Sequence, residues 1–384
     1  MVDRFALRLS LFYGALFVYA GISMPFMPVW LAAKGLDSRE IGIVLAAPPV
    51  VRLMVAPVST RIADRYGVLR RAIVGASVAS VAGFALIGLS AGFPAILLTF
   101  VLAAMVAAPV LPLTDAYALR GLAARLQAYG SVRLWGSVAF IAANLAGGVL
   151  LDLIPPHDII WALVATLALA AAVALGLERL APERPEAVDA PATAPSLWRS
   201  PAFVGIVLGA SLIQASHAVM YGFATLQWNA KGIEGPAIGA LWALGVLAEI
   251  ALFAVSGRMT AALGAIGMIV LGGLGGVVRW TAMAFDPPAA AIVPLQCLHA
   301  LSFGATHIGT MHFLAQVAPA RRGATALGDF SAAQAVVFAG AMGLSGVLVA
   351  AFGSLAYVGM AAAAAAGVIC ALAALGVARR PATE

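Results

Sequence analysis

Long apolar runs separated by short polar segments are the main pattern of this sequence. Stretches such as 7–31, 72–91 and 159–177 contain about the 20 apolar residues that a helix needs to cross about 30 Å of hydrocarbon. Segments of alternating polarity about 10 residues long, which are typical of a membrane β-barrel, do not occur in the sequence. The pattern predicts an all-α membrane protein.

The runs predict twelve transmembrane helices in two groups of six. The predicted spans are 7–31, 40–58, 72–91, 95–117, 129–151, 159–177, 202–227, 237–256, 265–284, 289–315, 325–351 and 355–377. One long polar, proline-rich stretch separates the sixth span from the seventh and indicates a flexible linker. The predicted domains are an N-terminal six-helix half (1–177), a cytoplasmic linker (178–201) and a C-terminal six-helix half (202–384).

Composition agrees with this pattern and narrows the function. The chain is 63% hydrophobic and 10% charged, whereas soluble domains have roughly 45–50% apolar and about 25% charged residues. Cys297 and Cys370 lie inside apolar runs, and neither has a metal-ligating partner at a suitable spacing. We predict no metal, no cofactor and no catalytic residues. Since the sequence has no nucleotide-binding loop either, a transporter driven by an ion gradient is expected.

The distribution of the basic residues along the chain indicates its orientation in the membrane. The chain has 22 Lys and Arg against 16 Asp and Glu. Most of the basic residues fall in one set of loops and helix ends, whereas Lys34, Arg39 and Lys231 fall in the other. The positive-inside rule then places both termini in the cytoplasm of a bacterium, with the chain in the cytoplasmic membrane. The predicted partners are a small-molecule substrate, protons and the lipid bilayer, with no nucleic acid, and the predicted state is a monomer.

Ionisable side chains inside the predicted spans are the candidate functional groups, because a charge in the bilayer faces a cavity or a partner. They are Arg52, Asp115, Arg133, His217, Glu249, Arg279, His299 and His307. Helical periodicity places some of them on polar faces. The face on the seventh span contains Gln214, His217, Tyr221, Thr225 and Trp228, and the face on the tenth contains Gln296, His299, Phe303, Thr306, His307 and Thr310. Trp242 shares a face with Glu249 on the eighth span.

Each candidate also has a structural interpretation. Arg133 lies one turn into its span and could extend to the lipid headgroups. Asp115 could cap its helix or hold Arg120, and Glu249 could form an ion pair with Arg279. The histidines could be neutral packing residues. These alternatives stay open at the level of sequence.

The segment between the second and third spans reads "TRIADRYGVLRR". Asp64, Arg65 and Gly67 match the loop signature of the major facilitator superfamily, in which an acid, a base, a spacer and a glycine precede further basic residues. A chain of two six-helix halves also resembles that superfamily, whose halves rock about a site near the midplane of the membrane. The resemblance implies a gating role for these three residues. From its position, Arg52 has a gating or a structural role.

Several in-order motifs resemble one family of that superfamily, the bacterial 3-phenylpropionic acid transporters. They are "PLTDA", "YGSVRLWGSVAF", "HAVMYGF", "LWALGVLAEIALF", "VVRWTAM" and "LQCLHALSFGATH". The similarity extends from the first predicted span to the tenth. It implies the twelve-helix fold of the superfamily and transport of a small organic acid.

The charge pattern is more distantly similar to that of lactose permease-like proton symporters. The resemblance implies that Asp115 and Arg133 hold the substrate, with Phe140 where an aromatic ring stacks on it. It further implies binding and proton coupling by Glu249, Arg279, and His299 or His307. One departure is that Ser302 and Thr310 stand where an acid follows the tenth-span histidine. Glu249 or a histidine is therefore expected to carry the proton.

Together these observations predict a proton-coupled symporter that imports a small organic anion, with an aromatic acid such as 3-phenylpropionate as substrate. The predicted substrate contacts are Asp115, Arg133, Phe140, His217, Tyr221, Trp242 and Arg279, and Asp115 is expected to pair with Arg133. Proton coupling is assigned to Glu249, His299 and His307. The alternatives are a sugar or nucleoside symporter, a drug/proton antiporter and a membrane sensor without transport activity. An enzyme is not expected.

Overall fold

The computed structural model describes residues 3–180, 196–318 and 323–378. These residues are almost entirely helical and contain no β-strand. The helices are α1 (Arg4–Ala33), α2 (Ser38–Arg65), α3 (Leu69–Leu89), α4 (Phe93–Ala107), α5 (Val110–Ala123), α6 (Tyr129–Leu153), α7 (Ile159–Leu175), α8 (Pro201–Ala215), α9 (Ala218–Ala230), α10 (Gly235–Ala284), α11 (Ala289–Cys297), α12 (Thr306–Val317), α13 (Gly323–Phe352) and α14 (Ala356–Ala378). A π-helical segment, Ala300–Ala305, lies between α11 and α12.

These helices account for the twelve predicted spans within the described residues. Three pairs, α4 with α5, α8 with α9 and α11 with α12, each cover one predicted span. Conversely, the 50-residue helix α10 covers two spans, which meet at a kink where Gly264 has φ 71°. The all-α, twelve-span fold class is therefore confirmed. The break between α4 and α5 falls at Pro109, which has no backbone N–H to donate within a helix.

The interactions at the two ends of α2 set where the helix begins and ends, and the helix includes part of the gating motif. A capping box starts the helix, in which the Glu40 N–H donates to Asp37 Oδ1 and the Asp37 N–H donates to Glu40 Oε2. The helix runs through Arg65, so the predicted loop shortens to residues 66–68. Gly67 has φ 61° there, in the left-handed region that glycine adopts without strain. The Asp64 side chain is not among the described parts of the structure. The Arg52 and Arg65 side chains are exposed.

The chain divides into two compact units. The first contains the described residues of Met1–Ala187 together with Phe223–Ala243, and the second contains those of Val188–Gly222 and Leu244–Glu384. Helices α9 and α10 therefore each contribute to both units. Most of the predicted linker, residues 181–195, lies outside the described residues, as do Arg184, Arg321, Arg322, Arg379 and Arg380 of the predicted cytoplasmic face. The predicted domain limits and the orientation of the termini stay predictions.

Each unit has its own apolar core. In the first unit it includes Leu9, Phe12, Tyr13, Ile73, Leu113 and Tyr117, and in the second Phe203, Ile206, Ile213, Ile269, Phe313 and Phe330. Large apolar side chains also cover the outside, such as Leu89, Val278 and Ile369. An apolar exterior on helices of this length is what a lipid environment requires.

Within the first unit, α6 and the first turn of α10 are in backbone contact. A Cβ atom added to Gly148 would lie 2.3 Å from the Gly235 carbonyl oxygen and 2.9 Å from the Gly239 Cα. Both carboxylate oxygens of Asp152 lie 3.1 Å from the Gly235 nitrogen, whose N–H they accept. An acid at a helix N-terminus stabilises the exposed N–H groups and the positive end of the dipole. Asp152 thus fixes the start of α10 against α6.

We expect Gly148→Ala to lower the thermal stability of the protein, because the added methyl group would collide with backbone that has little room to move. Overpacking of this kind costs about 1–3 kcal/mol. The matched control on the same helix is Gly130→Ala, whose added Cβ would meet nothing within 4 Å. Melting temperatures of the detergent-solubilised variants test this, and equal values for the two variants would contradict it.

Candidate functional site

The predicted site residues of the first unit form a cluster at α1, α5 and α6. Asp115 Oδ1 accepts hydrogen bonds from the Tyr13 hydroxyl at 2.6 Å and from the Tyr129 hydroxyl at 2.9 Å. Tyr13 is fully buried, whereas Asp115 is half-buried. Two phenol donors on one oxygen are suited to an ionised carboxylate.

The Arg133 guanidinium lies against aromatic rings. Its carbon is 4.0 Å from the centroid of Phe17 and 5.5 Å from that of Tyr13. Phe140 packs edge-on against Phe17 with centroids 6.5 Å apart, so the predicted Arg133–Phe140 neighbourhood is present. Gly136 leaves the space for this arrangement, because a Cβ there would be 2.9 Å from Arg133 Nη1. At Gly130, by contrast, an added Cβ would meet nothing within 4 Å.

The predicted ion pair between Asp115 and Arg133 is wrong for this structure. Among the described residues no ion pair joins the two, and Tyr13 contacts both of them, one through its hydroxyl and the other through its ring. The physical reason is that α1 supplies aromatic side chains to this cluster, which satisfy both charges separately.

We expect Tyr13→Phe to destabilise the protein more than Tyr129→Phe does. Both substitutions remove one donor from Asp115 Oδ1, but the bond from Tyr13 is the shorter of the two and Tyr13 is fully buried, whereas Tyr129 is partly exposed. A hydrogen bond to a charged group contributes about 1.5–3 kcal/mol. Thermal unfolding in detergent measures the difference. A larger effect for Tyr129→Phe would show that Asp115 depends on the other hydroxyl.

The second unit has Arg279 at the centre of its polar cluster. The residue is 1% exposed. Nη1 donates to His299 Nδ1 and to Ser302 Oγ, both at 3.2 Å, and Nη2 donates to Met220 Sδ at 3.0 Å and to Gln296 Oε1. The guanidinium also lies 4.5 Å from the ring of Trp280. Within the described part of the chain, each hydrogen-bond partner of the terminal nitrogens is an uncharged group.

The contacts of His217 assign its tautomer. Nδ1 lies 3.0 Å from the Gln214 carbonyl oxygen, which can only accept, so this nitrogen carries the proton. Nε2 is then an acceptor, and the Ser302 hydroxyl 3.1 Å away donates to it. Ser302 Oγ in turn accepts from Arg279. One buried hydroxyl therefore joins the seventh span, α10 and the π-helical segment.

Glu249 reaches this cluster through His299. His299 Nδ1 accepts from Arg279, so Nε2 carries the proton in the neutral ring, and it lies 3.8 Å from Glu249 Oε2. The glutamate side chain is 16% exposed. The His299 imidazole lies between Glu249 and Arg279. The two side chains therefore do not form the direct ion pair that was the structural alternative. We call the three side chains, Glu249, His299 and Arg279, the relay.

Irregular helix geometry assembles this cluster. The seventh span is not continuous, because α8 ends at Ala215 and α9 begins at Ala218. His217 lies in this break, and the predicted polar face divides farther along, between Tyr221 and Thr225. Gln214, His217 and Tyr221 belong to the Arg279 cluster, whereas Thr225 accepts from the Trp242 indole at 3.0 Å and Trp228 packs against Trp242. The contacts of Trp242 with Thr225 and Trp228 therefore lie within the first unit, whereas the Arg279 cluster belongs to the second.

The π-helical segment arranges the aromatic part of the cluster. Phe303 stacks between two histidine rings, with centroids 5.1 Å from His299 and 6.2 Å from His307. Tyr221 packs on His217 at 5.5 Å. π-Helical turns are rare and occur frequently at functional sites. Here the segment begins directly after His299 and contains Ser302.

Sequence reasoning left out several members of both clusters. In the first unit these are Tyr13, Phe17 and Tyr129, and in the second Met220 and Ser302; Gln296 was placed on the polar face of the tenth span but given no role. Tyr13 and Phe17 are four residues apart, a helical spacing that could have indicated an aromatic face on α1. Met220 gives no such signal, because a methionine in an apolar run is indistinguishable from a core residue.

Comparison with known proteins agrees with the all-helical membrane fold. The MFS_1 like family matches residues 6–361. The chain belongs to this family of major facilitator transporters. The transporter is 32% identical over 363 residues to the probable 3-phenylpropionic acid transporter of Escherichia coli (strain K12), covering 91% of this chain and 90% of that protein. It is 30% identical over 328 residues to the maltose permease of Geobacillus stearothermophilus, covering 84% and 82%.

Solved structures share the fold of the transporter. The crystal structure of the nucleoside transporter NupG superposes with a TM-score of 0.83 at 14% identity and covers 99% of this chain and 100% of its own. An inward-facing, occupied bacterial homologue of the human lysosomal transporter Spinster has a TM-score of 0.76 at 17% identity, covering 99% and 98%. The protein is a multi-pass membrane transporter that binds small-molecule substrates.

Proposed function

We propose that this transporter is a proton symporter that imports small organic anions, and that aromatic acids such as 3-phenylpropionate are its substrates. The observation that carries the proposal is the buried Arg279, whose terminal nitrogens donate to uncharged groups alone. A guanidinium removed from water is costly unless an anion compensates for its charge. A substrate carboxylate supplies that charge and matches the planar fork.

The surroundings of Arg279 favour an aromatic acid. Trp280 contacts the guanidinium directly, and Phe303 and Tyr221 pack on the histidines beside it. Flat apolar rings bind another ring well but offer few hydrogen bonds to a polyhydroxylated ligand. The E. coli relative is named for an acid of this class, 3-phenylpropionic acid.

The relay from Glu249 to Arg279 supports proton coupling. His299 can take a second proton only at Nδ1, which means giving up its bond with Arg279. An imidazolium beside a guanidinium is unfavourable until an anion lies near both. The substrate carboxylate therefore favours protonation of His299, and by linkage protonation favours binding of the carboxylate. Glu249 stabilises the imidazolium and exchanges the proton with water.

The remaining predicted roles form part of this proposal. Asp115, Arg133, Phe140, His217, Tyr221 and Trp242 are assigned to substrate binding, and His307 is assigned to proton coupling together with Glu249 and His299. Gating is assigned to Arg52, Asp64, Arg65 and Gly67. The proposed location is the bacterial cytoplasmic membrane, with both termini in the cytoplasm.

A binding panel tests the substrate class. Purified protein is titrated with 3-phenylpropionate, its neutral amide, maltose and a nucleoside, at low and high salt. We expect saturable binding of the acid, weakened by salt, and at least about tenfold weaker binding of the amide, since a charge-assisted pair contributes about 1.5 kcal/mol or more. Tight binding of a neutral ligand that phenylpropionate does not displace would overturn the proposal.

A sugar symporter is the second candidate, because the G. stearothermophilus relative is named a maltose permease. The same binding panel distinguishes a sugar symporter from an anion symporter, because only a sugar site would bind maltose with an affinity that does not depend on salt.

A drug/proton antiporter moves its substrate in the direction opposite to the proton. Proteoliposomes with an imposed pH gradient distinguish it from symport, because a symporter accumulates substrate on the alkaline side.

A further inference from the structure

The four acceptors on the terminal nitrogens of Arg279 differ in strength. Gln296 Oε1 and His299 Nδ1 are good acceptors, whereas the Met220 thioether is a weak one and the Ser302 hydroxyl is shared with His217. Each terminal nitrogen has one partner of each kind: Nη1 contacts His299 and Ser302, and Nη2 contacts Gln296 and Met220. One N–H on each nitrogen is therefore held weakly.

From this arrangement we infer that Met220 and Ser302 are the specificity-determining residues of the anion site. In the absence of substrate they occupy the two positions on Arg279 that the carboxylate oxygens take. The inference rests on the proposed function and deepens it. A bidentate carboxylate accepts one N–H from each terminal nitrogen. Ser302 and Met220 likewise accept one N–H from Nη1 and one from Nη2.

Displacing these two partners leaves no buried polar group unsatisfied. Met220 has no donor and gives up only a weak contact, and its flexible side chain can move aside. Ser302 loses the N–H of Arg279 but continues to donate to His217 Nε2. By contrast, displacing Gln296, or His299 while its ring is neutral, would leave a buried acceptor without a partner. The carboxylate therefore enters on the Met220 and Ser302 side.

The same geometry explains why an uncharged residue is needed at position 302. A carboxylate on this side chain would lie at hydrogen-bond distance from Arg279 Nη1 and neutralise it from within the protein. The transporter would then keep a stable internal ion pair but lose its demand for an anionic substrate. A glutamate at position 220 would do the same from α9 through Nη2.

The test uses five full-length variants and binding of 3-phenylpropionate. Met220→Leu conserves volume and removes an acceptor that competes with the carboxylate, so we expect binding to become tighter, by about threefold. Met220→Glu and Ser302→Asp should lose at least about 100-fold, because an internal carboxylate competes at effectively high concentration. Their uncharged controls, Met220→Gln and Ser302→Asn, should lose less than about tenfold.

Gel filtration and thermal unfolding show whether each variant folds. If one acidic variant does not fold, binding by the other acidic variant and by Met220→Leu tests the inference. Acidic variants that bind phenylpropionate as well as their amide controls do would overturn the inference, as would weaker binding by Met220→Leu than by the unsubstituted protein. These outcomes leave the proposed function standing. That proposal fails separately, and this inference with it, if the unsubstituted protein binds no aromatic acid.

Discussion

Arg279→Lys is expected to abolish uptake of aromatic acids while the protein remains folded. Lysine keeps the charge, but its single ammonium cannot present two parallel N–H groups to a carboxylate. We expect at least about a 30-fold loss of affinity for 3-phenylpropionate, since disrupting one side of a buried, hydrogen-bonded charge pair costs about 2–5 kcal/mol. Titration of purified protein and uptake into proteoliposomes measure the two effects.

Two further variants separate the charge from the fold. Arg279→Met removes a buried cation that has no anionic hydrogen-bond partner, which relieves a desolvation cost, but leaves the acceptors of Gln296 and His299 unpaired. Because these effects oppose each other, the melting temperature should change by no more than about 5 °C while binding is lost. Arg258→Lys is the matched control on the same helix, where the arginine is exposed, and should transport normally. Normal binding by Arg279→Lys would remove Arg279 from the substrate site.

The fold could be predicted from sequence because hydropathy over about 20 residues depends little on local detail. The predicted spans missed features that depend on single residues. Pro109 divides a span that looks uninterrupted, and the seventh span breaks between α8 and α9. The gating motif was predicted as a loop because it is polar, yet α2 extends through Arg65 and leaves a three-residue turn at Gly67.

The candidate site could be predicted less completely, for geometric reasons. Ideal helical periodicity placed His217, Tyr221, Thr225 and Trp228 on one face. Hydropathy does not show that the first two lie in the Arg279 cluster whereas the last two contact Trp242. The π-helical turn that presents Ser302 to Arg279 is likewise invisible in composition. Charged residues are conspicuous in an apolar chain, whereas the neutral groups that hold them, such as Tyr13 and Met220, are not.

Glu249→Gln is expected to abolish proton-driven accumulation while exchange of substrate continues. The amide cannot take up a proton, and it no longer stabilises an imidazolium at His299, whose Nε2 lies 3.8 Å from the carboxylate. With one proton per substrate, a gradient of one pH unit supports about a tenfold accumulation, because one pH unit and a tenfold concentration ratio are each worth about 1.4 kcal/mol. The variant should show a ratio of about one. Preloaded proteoliposomes should still exchange labelled for unlabelled 3-phenylpropionate, because Arg279 remains in place.

Three comparisons make the Glu249 result specific. Asp158→Asn removes a carboxylate that is 43% exposed and should leave accumulation unchanged. Glu249→Asp keeps a titrating group farther from His299 and should retain part of the accumulation. His299→Gln keeps a neutral partner for Arg279 but cannot form a cation, so it should match Glu249→Gln in accumulation. If Glu249→Gln accumulates substrate at the normal ratio and His299→Gln does not, the carboxylate is only a stabilising neighbour and the histidine alone carries the proton. If both accumulate normally, the relay to Arg279 has no part in coupling, and His307 is the remaining candidate in the second unit.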